Sequence, residues 1–321
     1  HVHCWQLAGV PVMPTTGEVK GHKGMDAYKS TYSHETEIVK PGYHKVELDT
    51  YQIRVELTST SRVGMHRYTY PAGEKANVLF DVGALLAHGK TEKAAIHRIS
   101  SKEIGGYSVL APTSRRKKPV TVYFVARFNQ NMTAFGGWEK EGKEKKLVHK
   151  NSIEGADIGG YASFGKLKKQ TLLMKVGISY VSEEQARINL EKELAHWNFD
   201  RVKEDAFAEW NRELGKITVE GGSEEEKIKF YTDLWHSLLG RHTFSDFNGK
   251  YIDNTGEEPV VRQVPLDNGT PTRNTYNSDA FWGSEFNLNI LWSIAYPKVM
   301  SEFVSTLVDY YCLLYTSPSP R

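Results

Sequence analysis

A change in hydrophobic period at Val181 divides the chain into two kinds of sequence. Before it, apolar and polar residues alternate, most clearly over 51–58, 120–128 and 172–180. Alternation with period two is typical of strands with one buried and one solvated face. Turns rich in glycine, proline and charge separate the runs, with no helical pattern between them. This spacing favours a large antiparallel sandwich over βαβ units.

After Val181, apolar residues recur at helical spacing. Ser182–Gln185 and Ser223–Glu226 each have the spacing of a capping box, in which two residues satisfy each other's free backbone N–H groups at a helix start. Gly215 ends the first helical stretch, and Pro297 begins the last helix. From residue 223 on, the pattern predicts only helices and connecting loops. The expected order is therefore all-β followed by all-α.

Four segments follow from these patterns. Residues 1–181 are expected to form a β-sandwich domain, residues 182–222 a helical linker, and residues 223–310 the start of a helical domain. Residues 311–321 contain Pro318 and Pro320, which cannot continue a helix. We interpret them as a tail foreign to the protein or as an ordinary flexible terminus.

Composition bears on several classes of function. Lys and Arg number 41 against 39 Asp and Glu, which provides no electrostatic footprint for nucleic acid or anionic lipid. No apolar run is long enough to span a membrane, and two cysteines form no disulfide framework. His1 and His3 form a pair without a third ligand, so no metal site is predicted from them. The sequence does not indicate an oligomeric state, whether monomer or oligomer.

The strongest candidate for a binding site is the start of the helix after Asn277. A long polar loop over Asp253–Tyr276 precedes it, and Asn277-Ser278 is expected to cap it. Its first turns carry Asp279, Trp282 and Glu285, so that a flat ring and two carboxylates share a rim built by a loop. The alternative is that the rings pack between helices while the carboxylates cap.

Two further features belong to the same region. His236 is either a site residue or a hydrogen-bonded core histidine, and Ser245–Gly249 is predicted to form a tight turn. The two N-x-Thr sequons, at Asn131 and Asn268, are expected on exposed loops.

Five stretches resemble, in order, the landmarks of glycoside hydrolase family 92, the calcium-dependent exo-α-mannosidases. They are HVHCWQLAGVPVMPTTGE, YSHETEIVKPGYHKVELD, TSTSRVGMHRYTYP, FYTDLWHSLLGRHTFSDFNGKY and NSDAFWGSEFNLNILWSIAYP. The resemblance covers nearly all of residues 1–310. It implies an N-terminal antiparallel β-supersandwich packed on an (α/α)6 barrel, of which residues 223–310 would be the first helices, with the sugar bound where the two meet.

The resemblance also implies roles for residues. Trp282 matches the family's tryptophan at the sugar-binding end of this helix. Many members follow that tryptophan with an aspartate that contacts the terminal mannose, whereas this chain has Gly283. Asp279 and Glu285 are the candidate replacements, and Trp292, deeper in the helix, is expected to pack against neighbouring helices.

By the same resemblance the protein is an inverting glycosidase. One carboxylic acid protonates the leaving oxygen, a second carboxylate activates water, and Ca²⁺ grips the sugar hydroxyls. The family's acid, base and most calcium ligands belong to later helices, so the catalytic residues are expected downstream of Arg321 and the chain alone is expected to be inactive.

A glycan or mannoside is the implied substrate. The chain opens on HVHCWQ rather than Met, which we interpret as a cut below any export signal, and we expect a secreted, periplasmic or cell-surface protein. Two alternatives stay open: another carbohydrate enzyme of this architecture, such as a disaccharide phosphorylase, which needs a phosphate site, or a non-catalytic sugar-binding module.

Overall fold

A computed structural model of the protein describes residues 9–84, 90–113, 117–142, 144–239, 242–277 and 287–316. The chain forms two compact units, His1–Ala206 and Phe207–Arg321. The period-two sequence lies in the first unit.

The described part of the first unit is dominated by antiparallel strands. They are β1 (Val12–Thr16), β2 (Ile38–Lys40), β3 (Tyr43–Leu48), β4 (Ile53–Ser59), β5 (Val63–Thr69), β6 (Lys75–Phe80), β7 (Thr91–Arg98), β8 (Glu103–Leu110), β9 (Val120–Phe128), β10 (Ala134–Glu141), β11 (Glu144–Val148), β12 (Ser152–Gly155), β13 (Gly159–Lys166) and β14 (Thr171–Ser179). A 3₁₀ turn over Gly21–Lys23 and the short helix α1 (Met25–Tyr28) follow β1.

Two sheets face each other across one core. A five-stranded sheet has the order β1-β6-β13-β10-β11, and a nine-stranded sheet has the order β12-β7-β8-β9-β14-β5-β4-β3-β2. Apolar side chains of both sheets, such as Phe80 from one and Phe124 and Phe128 from the other, are fully buried together. The prediction of a large antiparallel sandwich is confirmed.

The helix α2 (Glu183–Glu193) packs on the outer face of the nine-stranded sheet. Ala186 and Leu190 of α2 are buried with Val63, Met65 and Val125 of the sheet. Gly177 makes this close approach possible, since a Cβ there would lie 2.4 Å from the Ala186 carbonyl oxygen. The next helix, α3 (Phe199–Leu214), begins in this unit and ends in the second.

Charged groups fix both ends of α2 to the sheet. Near its start, the buried carboxylate of Glu103 accepts hydrogen bonds from Arg127, at 2.6 Å, and from Arg187 of α2. At its end, Glu193 pairs with Arg62 at 2.6 Å and accepts the Thr60 hydroxyl at 2.6 Å. These are largely shielded pairs, which hold geometry better than exposed ones.

The second unit contains the remaining helices. They are α4 (Glu224–Leu238), α5 (Leu288–Ala295) and α6 (Pro297–Thr316). Ser223 and Glu226 form the full capping box at the start of α4. At the start of α2, the Gln185 N–H donates to the Ser182 hydroxyl, which is one half of such a box. Pro297 begins α6 as predicted, and α6 continues six residues beyond Tyr310, where the pattern weakened.

The expectation that only helices and loops follow residue 223 is wrong. The described residues there include β15 (Lys250–Asp253) paired with β16 (Val260–Gln263), and β17 (Leu266–Asp267) paired with β18 (Thr270–Pro271). Strands of two to four residues are too short to display a period. The second hairpin nevertheless had a sequence signal: Asn268 and Gly269 both have positive φ, at 48° and 81°, the requirement that Asn-Gly meets in a two-residue hairpin turn.

Both sequon asparagines are exposed, as predicted. Asn131 lies in the connection between β9 and β10, and Asn268 lies in the turn between β17 and β18. Within the described residues, no helix is both long and apolar enough to cross a membrane.

Lys175, in the middle of β14, is a buried cation at the C-terminal end of α2. Its side chain is 2% exposed, and Nζ donates to the Leu194 carbonyl at 2.9 Å and lies 4.1 Å from the centre of the Trp197 ring. Burial, with a smaller contribution from Arg127, lowers the pKa of Lys175 to about 8. The charged form is therefore less favoured in the folded state than in the unfolded chain.

We expect stability to rise with pH because of Lys175. Between about pH 8 and 10.5 the unfolded lysine stays protonated while the folded one loses its proton, so the free energy of unfolding increases, by about 3 kcal/mol in total. The free energy of unfolding is measured by denaturant for wild type and for Lys175→Met across this pH range. The difference between the two isolates the contribution of Lys175 from that of other titrating groups. A difference that is flat with pH would contradict it.

Candidate functional site

The predicted site residues are only partly covered by the structure. Asp279, Trp282 and Glu285, with Gly283, lie outside the described residues, so their roles stay predictions. His236, near the end of α4, is exposed, and its ring lies 5.1 Å from that of Trp235. The alternative of a buried core histidine is therefore wrong, because the side chain lies at the surface of α4; its role as a site residue stays a prediction.

The segment that leads to the candidate site is closed at its base by a short antiparallel ladder. The His242 N–H donates to the Asn277 side-chain oxygen at 2.8 Å, and the Asn277 N–H donates back to the His242 carbonyl at 3.1 Å. Thr243 and Tyr276 form the next bridge, and the Phe244 N–H donates to Thr275 at 2.7 Å. Asn277, expected to cap the next helix, is thus buried and tied to the other end of the loop.

Inside this loop, the polar sequence is ordered by turns. The predicted tight turn is confirmed: the Gly249 N–H donates to the Asp246 carbonyl at 2.8 Å, with φ of 81° at Gly249. Asp253, at the end of β15, is buried. Burial would raise its pKa, but bonds from Thr255 and Arg262 outweigh this and hold the pKa of Asp253 below its usual value. The predicted polar loop therefore contains short paired strands.

The helix α6 supports the last residues of the loop. Tyr276 donates its hydroxyl to Glu302 Oε2 at 2.8 Å, and the Asn274 side chain donates to the same oxygen at 3.4 Å. One turn further along α6, the Tyr276 N–H donates to the Thr306 hydroxyl at 3.4 Å. The guanidinium of Arg273 pairs with Asp309, so one face of α6 binds residues 273–276.

Glu302 is the chemically unusual member of this contact. Glu302 is only 8% exposed, and its carboxylate forms no ion pair with any of the described residues. A buried carboxylate normally has a cationic partner or a full set of hydrogen bonds. Here two neutral donors bind one of its oxygens.

A pocket of about 800 Å³ adjoins Glu302 in the helical unit. Its lining includes the aromatic side chains Trp210, Tyr276, Trp292 and Tyr296. Trp292 is 1% exposed and packs with Leu234 and Tyr296, which confirms the expectation that it packs against neighbouring helices.

The described residues do not provide an evident calcium site. Ca²⁺ takes about six to eight oxygen ligands in proteins, and across the described ranges no group of three or more His, Cys, Asp or Glu side chains is placed to hold a metal ion. We therefore derive no step through calcium from these residues.

Comparison with known families identifies the chain. Residues 1–179 match the glycosyl hydrolase family 92 N-terminal domain, and residues 185–317 match the glycosyl hydrolase family 92 catalytic domain. The chain belongs to glycosyl hydrolase family 92. The two matched ranges meet close to Val181, where the period of the sequence changes.

Solved family 92 structures share the fold. An α-mannosidase of the family from Bacteroides thetaiotaomicron aligns with a TM-score of 0.82 at 26% identity, over 95% of this chain and 40% of its own; the same enzyme has been solved in complex with mannoimidazole. An inverting mannosidase from Bacteroides thetaiotaomicron VPI-5482 aligns with a TM-score of 0.79 at 21% identity, over 97% of this chain and 40% of its own.

One relative is named as a secreted protein. It is an uncharacterized secreted glycosidase from Arthroderma benhamiae, 30% identical over 90 residues, which cover 27% of this chain and 10% of the relative. The chain therefore spans about 40% of the length of the family 92 structures and a tenth of this relative.

We expect the Tyr276–Glu302 bond to hold the end of the loop. Tyr276→Phe leaves a buried carboxylate with one donor fewer, which costs about 1–3 kcal/mol and should speed amide exchange at residues 273–277 by on the order of tenfold or more. Hydrogen exchange of peptides that cover residues 273–277 measures this rate.

Two further variants separate this bond from general damage. In a Glu302→Leu background, Tyr276→Phe should have little further effect, because the partner is already gone. Tyr231→Phe removes a hydroxyl that donates to Ile217 elsewhere in the unit, and should leave loop exchange unchanged. An equal effect of Tyr231→Phe on the loop would refute the assignment.

Proposed function

We propose that the complete protein is an exo-acting α-mannosidase that releases terminal α-linked mannose from glycans. The observation that carries this proposal is the match of residues 185–317 to the family's catalytic domain, together with the likeness to an α-mannosidase at 26% identity and a TM-score of 0.82. The complex of that neighbour with mannoimidazole supports a mannoside as the substrate class.

The proposed substrate contacts come from the segment after Asn277 and from His236 of α4. Trp282 offers a flat apolar face for the sugar ring, and Asp279, Glu285 and His236 offer hydrogen-bonding groups for its hydroxyls. Gly283 leaves no side chain where many members have an aspartate, so Asp279 or Glu285 takes that contact. The ladder at His242 and Asn277 and the bonds from α6 support this role, because they fix the chain immediately before the segment.

The proposed reaction is hydrolysis with inversion. A carboxylic acid protonates the departing oxygen while a carboxylate on the opposite face of the sugar activates water. We propose that this acid and base, and the ligands of a calcium ion, belong to the part of the family's length that this chain does not cover. Calcium would supply charge for gripping the sugar hydroxyls.

The proposed organisation has a β domain over residues 1–181, a helical connection over 182–222, and the first helices of an (α/α)6 barrel over 223–310. Residues 311–321 are proposed as a non-native tail, although α6 includes residues up to Thr316. The proposed location is outside the cytoplasm, and the name of the secreted relative supports it.

We expect the complete protein to hydrolyse aryl and disaccharide α-mannosides, with activity lost on chelation and restored by Ca²⁺. NMR of the first product should detect β-mannose, since inversion at an α-linkage gives the β anomer. Residues 1–321 alone should give no turnover, because each missing proton transfer is worth about 10²–10⁴-fold in rate.

Other outcomes have distinct meanings. Release that requires phosphate would indicate a phosphorylase, and binding without turnover by the complete protein would indicate a sugar-binding module. Chelator-sensitive turnover by residues 1–321 would show that the acid and base lie within them.

We expect Trp282→Ala in the complete protein to lower kcat/KM for α-mannosides by about 10²-fold, because a misplaced sugar reacts slowly, with little change in melting temperature. Trp292→Ala is the matched control on the same stretch of chain. It removes a fully buried ring and should cost about 3–5 kcal/mol of stability. A large loss of stability with normal kinetics for Trp282→Ala would assign that ring to packing instead.

A further inference from the structure

The pocket beside Glu302 has the size of a small-molecule site. Its volume of about 800 Å³ falls within the range of about 300–1,000 Å³ that is usual for such sites. It is bounded by the end of α3, the α5–α6 junction and residues 274–276 of the loop. All of its lining belongs to the helical unit.

Aromatic rings held in place form much of the wall. Trp210 is half-buried, and Trp235 packs edge-to-face against it with ring centres 6.3 Å apart. Tyr296 donates its hydroxyl to the Glu213 carbonyl at 3.1 Å, and Lys216 Nζ lies 4.8 Å from the centre of its ring. Rings fixed in this way lose little entropy when an apolar face stacks on them.

The charges of the lining cancel. Three side chains are acidic (Glu209, Glu213 and Glu302) and three are basic (Arg212, Lys216 and Lys298). Most of them pair with one another: Glu213 with Lys216 and Arg212, and Arg212 also with Glu209 at 3.5 Å. These pairs are largely solvent-exposed, and a neutral ligand can bind beside them without breaking any of them.

One acceptor in the lining is left open. Glu302 Oε2 receives both the Tyr276 and the Asn274 bonds, and Oε1 accepts no hydrogen bond from the described residues. A carboxylate has room for about four donors. Glu302 can therefore still bind a hydrogen-bond donor such as a sugar hydroxyl.

We infer that this pocket binds a neutral sugar of pyranose size. The apolar C–H face of the ring packs on Trp210, and a hydroxyl donates to Glu302 Oε1. A pyranose joins an apolar face to a rim of hydroxyl donors and carries no charge, which is the combination that this lining matches. Binding here requires no hydrolysis, so it can be tested whether or not the protein is a mannosidase.

The test is hydrogen exchange of the complete protein with and without D-mannose. Sugar should slow exchange in peptides covering 209–216 and 294–302. Trp210→Ala should weaken this protection, because the sugar loses its stacking surface, and the half-saturating mannose concentration should rise about tenfold or more, which corresponds to about 1.4 kcal/mol. Phe207→Ala is the matched control: it removes an exposed ring from the same helix, outside the pocket, and should change nothing.

A second variant covers the case in which Trp210→Ala misfolds. Glu302→Gln keeps the shape of the side chain but loses the charge, and should also raise the half-saturating concentration, by about threefold or more, because hydrogen bonds to charged groups are the stronger ones. The inference is overturned if mannose protects neither peptide, or if protection is unchanged in both Trp210→Ala and Glu302→Gln. It is also overturned if both peptides are fully protected without sugar, because another part of the complete protein then fills the pocket.

Discussion

Burying a charge is costly unless hydrogen bonds compensate it, and in each unit such bonds join segments that are distant in the chain. In the first unit, Glu103 is buried in strand β8 and binds one arginine from the neighbouring strand and one from α2. Removing either partner would leave a buried carboxylate short of donors, which is far costlier than losing an exposed ion pair. The helix is therefore part of the β unit in an energetic sense, although it follows the last strand in sequence.

The same constraint operates in the helical unit with neutral donors. Glu302 draws Tyr276 and Asn274 onto α6 from positions 26 and 28 residues away in the chain. These bonds, with the ladder at His242 and Asn277, give the loop a defined exit. In the proposed enzyme, the position of Trp282 relative to the sugar depends on where the loop ends. The Tyr276–Glu302 hydrogen bond therefore influences sugar binding.

Sequence alone predicted the long elements because burial of one face imposes a period on them. Strands β9 and β14 are nine residues each and alternate clearly, and the capping serines marked the starts of α2 and α4. The hairpins over residues 250–271 were not predictable from periodicity, because a strand of four residues or fewer has no measurable period; the Asn-Gly pair at 268–269 is their one local sequence signal.

The candidate site was less predictable. Asp279, Trp282 and Glu285 came from the composition of one stretch and from family landmarks, and they lie outside the described residues. Glu302 carried no local signal, since a glutamate in a helix usually faces solvent. Its importance comes from a contact between distant positions, and a single sequence contains no information on such pairs. The family itself was accessible because several landmark stretches occur in the right order.

The Asn-Gly turn at the tip of the β17–β18 hairpin has a practical consequence for producing the protein. Asn268 is exposed, and its side-chain nitrogen, the atom that N-glycosylation modifies, donates to the adjacent Asp267 at 3.1 Å. At Asn131 the side-chain oxygen is engaged by Ser101 at 3.0 Å. Both asparagines are exposed, so a eukaryotic expression host that glycosylates Asn-x-Thr sequons can modify either site and yield a mixture of glycoforms, whereas a bacterial host lacking the machinery would yield one covalent species.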